Sequence, residues 1–203
     1  MARETSLFDD GSARVTAVQE ALIGQPREVR IAAAVWGQWL NDPATQERYR
    51  AKIYLSSVPA VPCQFFIGAI SSTGHGSFRA GSLPDRTRRG TVPAHLYGYQ
   101  LAHGVIERLG WEPTTPTVAH TCDEASCQRP DHLRLVSNAE NSAEWAVRRR
   151  NPRGPLADLR GAAGRARAIA DAIRAGLAAG DSAHQVADRI TAAQAEGLPL
   201  TLW

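Results

Sequence analysis

The sequence predicts an α+β fold, with a core of short strands and helices flanked by further helices at both ends. Two observations carry this. Apolar residues recur at helical spacing up to about residue 55, and beyond it the pattern shifts to short strands bounded by turn residues. A third observation says what holds the middle together. All three cysteines join one histidine in the spacing Cys63…Cys122-x4-Cys127-x4-His132, a complete tetrahedral zinc-ligand set. The chain therefore divides into a helical segment at 1–55, a zinc-stabilised core at 56–150, and an Arg/Ala-rich helical extension at 151–203. At 203 residues, 43% hydrophobic and 21% charged, it has the composition of one ordinary globular core with extensions.

In chain order, Val15, Val18 and Leu22 make a first helical stripe, and Val29, Ala32, Ala33, Trp36 and Leu40 a second. Asp42-Pro43 is an N-cap followed by proline at the first helical position, which opens a third short helix through Tyr54. Residues 56–62, with Pro59 and Pro62, read as a linker. Residues 61–81 then read as a β-hairpin whose arms are 65–67 and 75–79 and whose turn is Ser71-Ser72-Thr73-Gly74. A helix is expected from Pro93 to Leu109, stopped by Gly110. Residues 115–120 and 133–136 read as an antiparallel pair around the cysteine loop. Ser137-Asn138-Ala139-Glu140 matches a capping box that opens a helix through Arg150, with Asn141, Trp145 and Arg148 on one face. Residues 159–179 and 182–195 read as two more helices, the first with Ile169, Ile173 and Leu177 apolar; they make a helix-turn-helix or a hairpin for dimerisation. The apolar ending 198–203 is expected to dock on this domain or on a partner subunit. Trp36, Trp39, Trp111 and Trp145 are expected in the core.

The loop at 121–130, Thr-Cys-Asp-Glu-Ala-Ser-Cys-Gln-Arg-Pro, has almost nothing to bury, so a metal clip would supply the folding free energy that packing cannot. Buried or free thiols are the alternative. The odd cysteine count, the absence of a secretory signal and of a long apolar run point away from disulfides and membranes, toward a reduced, cytoplasmic protein.

Net charge is only +3, but the pI near 9.0 conceals an asymmetry. Between Arg148 and Arg174 stand eight arginines against Asp158 and Asp171. Such a stripe suits a phosphate backbone, and it equally suits a solvated helix face. Arg79, Arg86, Arg88 and Arg89 extend the basic character; they lie along a DNA groove or in an exposed loop.

The phrases His120-Thr121-Cys122-Asp123, Cys127-Gln128-Arg129-Pro130-Asp131-His132-Leu133 and Glu140-Asn141, in their order of strand, loop, strand and helix, resemble the ββα-metal core of His-Me finger nucleases, of the HNH and His-Cys box homing endonuclease type. Cys63 and Gly74-His75-Gly76-Ser77-Phe78 are similar to the family as well, and the resemblance covers about residues 61–150. It implies a DNA endonuclease in which His120 is the general base, Asn141 holds a catalytic Mg²⁺, and Cys63, Cys122, Cys127 and His132 hold a structural Zn²⁺. A histidine suits the base role because its ordinary pKa of about 6.5 leaves much of it neutral near pH 7. His95 falls near the place of a basic phosphate contact in relatives, and it also reads as a plain polar cap. Arg129 stands where relatives usually carry asparagine, and Ala119 where many carry a second acidic ligand. His75, His103 and His184 have no partner pattern and receive no role.

Double-stranded DNA is the partner this reading expects, with Arg148 added to the contact set and a symmetric dimer if both strands are cut. A zinc-stabilised DNA-binding module without turnover is the alternative function. A helical interaction protein with an accidental cysteine pattern is a third.

Overall fold

The computed structural model describes residues 31–82, 89–107, 109 and 112–199. The helix expected around Val15 to Leu22, and Arg86, Arg88, Trp111 and the tail from 200 onward, lie outside those residues. What is described is an α+β arrangement of six α-helices and three two-stranded antiparallel sheets.

Helix α1 (Ala33–Asn41) turns Trp36, Trp39 and Leu40 inward, the two indoles meeting edge to face at 5.5 Å. Asp42 then caps α2 (Pro43–Arg50), its carboxylate accepting from the Thr45 amide at 3.0 Å and from the Thr45 hydroxyl at 2.5 Å. Helix α2 stops at Arg50, short of the expected Tyr54. Residues Ile53–Leu55 instead form strand β1, paired antiparallel with β2 (Gln64–Phe66), so the segment 56–62 is the connection between two paired strands.

That pairing also corrects the expected hairpin. The turn at 71–74 exists, with Gly74 at φ 85° and an isolated bridge between Ile70 and Gly76, but its arms pair elsewhere. Strand β3 (Ser77–Ser82) pairs with β4 (Arg89–Pro93) across a bulge at Arg79/Gly81. On its other edge β2 meets the cysteine loop, where Phe66 N–H donates to the Ser126 carbonyl at 2.9 Å and Gln128 N–H to the Gln64 carbonyl at 2.6 Å. Strand propensity was readable, but the choice of partner is a long-range contact that a local pattern does not encode.

Helix α3 (Ala94–His103) ends at Gly104, whose φ of 88° favours glycine, six residues before the expected stop. It packs tightly on α2. A Cβ at Gly98 would collide with the Tyr49 hydroxyl, which donates to Gln128 Oε1 at 2.9 Å and so ties α2 to the cysteine loop. Trp36, Trp39, Tyr49, Phe66, Phe78 and Tyr97 fill the resulting core.

Strands β5 (Pro116–His120) and β6 (Leu133–Ser137) pair with His120 opposite Leu133, enclosing the cysteine loop. Helix α4 (Asn138–Arg148) follows directly, with the Ser137/Glu140 capping box fully formed. It packs on both strands yet buries no side chain completely; Trp145, expected in the core, is 46% exposed under the Arg149 guanidinium at 4.6 Å.

Helices α5 (Gly161–Ala179) and α6 (Ala183–Glu196) form an antiparallel hairpin about Gly180, and a Ser182/Gln185 capping box opens α6. Alanines give α5 its propensity, and Ala166, Ile169, Ala170 and Ile173 make its buried stripe, whereas Leu177 is half exposed. This hairpin shares a second core with Val61, Cys63, Phe65 and Cys127. Its apolar face is thus occupied by its own chain.

Candidate metal and histidine centre

The four residues expected to hold a metal converge. Cys63 precedes β2, Cys122 and Cys127 flank the loop after β5, and His132 closes a 3-10 turn (Pro130–His132) leading into β6. One donor atom from each lies within 4.8 Å of the others. Nδ1 of His132 stands 3.6 Å from the sulfurs of both Cys63 and Cys127. Tetrahedral zinc with bonds of about 2.3 Å to sulfur and about 2.0–2.1 Å to nitrogen requires a sulfur–nitrogen separation of about 3.6 Å. The donor set fits a zinc-like ion.

The surroundings favour thiolate. Cys127 is pulled down to about 4 by hydrogen bonds to its sulfur from Cys122 and Cys63, against burial, with further help from the backbone of Arg129 and Gln64. Its neighbours and burial push Cys63 upward in turn, so ion binding must displace a proton there. Asp123 adopts a left-handed φ of 59° between the first two loop ligands and lies 2.9 Å from Arg148.

The loop is also anchored from outside. Glu124 and Arg165 form a buried pair, with Arg165 reaching Asp158 at 3.3 Å and the Gln194 carbonyl at 2.9 Å. Gln194 Nε2 donates back to Glu124 at 2.9 Å. Four segments, the cysteine loop, the turn before α5, α5 and α6, are cross-linked by one guanidinium.

His120 ends β5 beside this clip. It is 9% exposed, and its Nε2 lies 3.0 Å from the Cys127 carbonyl. A carbonyl only accepts, so Nε2 carries the proton and Nδ1 keeps the lone pair. Burial holds the ring below its ordinary pKa, opposed by Cys122 and the hydrogen bond to Cys127.

Two further histidines face it. Ring centroids of His75 and His95 lie 4.5 Å apart, those of His95 and His120 4.8 Å, and those of His75 and His120 5.6 Å. Burial and then His120 push His75 down to about 4. His95, more enclosed, is held well below its usual range by burial first, then by His120 and His75. All three rings are thus pushed toward the uncharged form. His95 is thus a buried ring, not a plain helix cap, and His75, given no role from the sequence, belongs to the same cluster. The signal for His75 was its place in Gly74-His75-Gly76, next to a turn that aims the ring back toward α3.

Asn141 sits half-buried in the first turn of α4, one face with Arg148. The Arg148 guanidinium is engaged inside the fold: it donates to the His120 carbonyl at 3.2 Å and pairs with Asp123 and Glu144. Arg129, in the position where asparagine was expected, donates to the Pro62 carbonyl at 2.9 Å and pairs with Asp131 at 3.5 Å, bracing the loop against the Cys63 segment. Arg79 is exposed on β3, and Arg89 opens β4. Much of the arginine stripe is spent on structure as well. Arg160 and Arg165 hold Asp158, Arg167 reaches the Ser71 carbonyl, and Arg174 the Ile67 carbonyl. Arg149, Arg150 and Arg153 remain exposed.

No family model, curated protein or solved structure matches the chain. No helix among the described residues is long and apolar enough to cross a membrane.

Proposed function

We propose that the chain is a metal-dependent DNA endonuclease built on a ββα-metal core, with a structural zinc at Cys63, Cys122, Cys127 and His132. The observation that carries this reading is the state of His120: a buried, neutral imidazole whose Nε2–H is tied to the carbonyl of Cys127, itself a zinc-site residue. That bond fixes the tautomer and leaves Nδ1 as a proton acceptor, the arrangement a general base requires. The zinc clip would then serve catalysis by holding the Cys127 carbonyl in place.

In this reading His120 takes the proton of a water that attacks the scissile phosphorus, and Arg148 steadies the His120 backbone from α4. Asn141 supplies one neutral oxygen, which suits Mg²⁺, an ion that keeps several waters and takes few protein ligands beside phosphate oxygens. Bound there, Mg²⁺ would act as a Lewis acid toward a non-bridging oxygen and the leaving 3′ oxygen. Double-stranded DNA would be met by the exposed Arg149, Arg150 and Arg153 and by Arg79 of β3, through phosphate charge rather than base identity.

The test is cleavage of supercoiled plasmid in Mg²⁺ by the wild type, His120→Ala and Asn141→Ala, each checked for zinc content and thermal unfolding. Loss of cutting in both variants, with zinc and DNA binding retained, is expected. A wild type that binds DNA and never cuts it, across several substrates and divalent ions, overturns the nuclease and leaves a recognition module.

A further inference from the structure

The three histidines are more than a pocket for one base. We propose that His75, His95 and His120 form a second metal site, distinct from the Cys3His clip, that takes a divalent transition ion such as Zn²⁺, Co²⁺ or Ni²⁺ through three imidazole nitrogens.

Geometry is the first support. One nitrogen from each ring lies within 4.8 Å of the other two. A tetrahedral ion with bonds of about 2.0–2.1 Å needs nitrogens about 3.3–3.4 Å apart, so small side-chain rotations close the set. The second support is an orphaned atom. Nδ1 of His95 is buried and has no hydrogen-bond partner, in a residue only 8% exposed. Buried polar atoms nearly always have a partner, and an ion shared with the two neighbouring imidazoles would supply one.

The outer contacts point the same way. Ligating histidines usually commit their second nitrogen to a carbonyl or hydroxyl, which fixes ring and tautomer. His120 does so through Nε2 to the Cys127 carbonyl. His75 does so through Nδ1, 2.9 Å from the Thr73 hydroxyl, which is itself 3.0 Å from the Ser71 hydroxyl. The donor set selects the ion: three neutral nitrogens suit borderline transition ions and offer little to Mg²⁺ or Ca²⁺. Three protein ligands leave a fourth position for water or a phosphate oxygen.

The site stands on these distances whether or not the chain cuts DNA. If it does, an ion on Nδ1 of His120 occupies the lone pair that would otherwise accept the proton, so filling the second site would inhibit Mg²⁺-dependent cleavage.

The experiment is Co²⁺ titration of the metal-free full chain, followed by absorption and equilibrium dialysis. Two equivalents are expected. One brings the near-ultraviolet thiolate-to-cobalt band of the Cys3His clip, and the other adds weak visible bands with no further thiolate signal. His75→Ala should lose the second equivalent and keep the thiolate band, which reports that the clip is still folded. Wild type carrying ¹¹³Cd adds a measurement free of substitutions: two resonances are expected, one from a sulfur-rich site and one from a nitrogen site. A single equivalent and a single resonance, or a second equivalent that survives in both His75→Ala and His75→Ala/His95→Ala, overturns the proposal. None of these readouts depends on cleavage.

Discussion

Arg165→Met is the substitution with the largest consequence worked directly from the structure. The guanidinium is 7% exposed and lies against Glu124 at 6% and Asp158 at 0%. Asp158 keeps a second cation in Arg160 at 2.8 Å, so Glu124 is the group that loses its cation, keeping among the described residues the Gln194 amide at 2.9 Å. Stranding one charge of a buried pair costs about 3–5 kcal/mol. For a chain of this size about 2–4 °C of melting temperature accompanies each kcal/mol, giving a fall of roughly 6–20 °C by circular dichroism. Because Glu124 lies between Cys122 and Cys127, zinc transfer to a chromophoric chelator should also quicken. Adding Glu124→Gln should restore much of the loss, since no carboxylate is then stranded there. A single variant melting within about 2 °C of the wild type, a shift under the roughly 1 kcal/mol a surface pair contributes, would refute the claim that this contact anchors the loop.

Three further outcomes are expected. Elemental analysis should find zinc in the wild-type chain, and Cys127→Ser should lose the Cys3His ion together with much of the cooperative melting transition, because the sulfur also sits in the second core. In acid, burial would raise the Asp158 pKa, but the hydrogen bonds from Arg160 and Arg165 outweigh it and hold the folded value below 3.8. Its contribution is therefore complete above the unfolded value and is lost as pH falls below about 4, so Asp158→Asn should be less stable at neutral pH and show a shallower acid limb in urea titrations between about pH 4 and 2. Replacing Arg149, Arg150 and Arg153 by glutamine should weaken DNA binding and lower the salt slope by up to about 2.7 if all three meet phosphates; an unchanged slope would remove them from the interface.

The sequence by itself was enough for features whose cause is local. The Asp42-Pro43 cap, the Ser137/Glu140 capping box and the β5-loop-β6-α4 order are set within a few residues of one another, so pattern and structure agree. The Cys3His set was legible for a different reason: a loop with almost no apolar side chains must be fastened by something, and all three cysteines of the chain, with His132, have the chemistry and spacing of a zinc-ligand set. Pairing and charge use depended on contacts far along the chain. Whether β2 meets β1 or β3, and where α3 ends, was decided by packing around Phe66 and Tyr97 and by the φ of Gly104. Eight arginines looked alike in sequence, yet Arg165 is a buried strut and Arg149 lies over an exposed indole. His75 had no partner at any nearby spacing. Only the tertiary structure closes the 45 residues that separate it from His120 and brings His95 between them, because a turn, a helix start and a strand end come from three different parts of the chain.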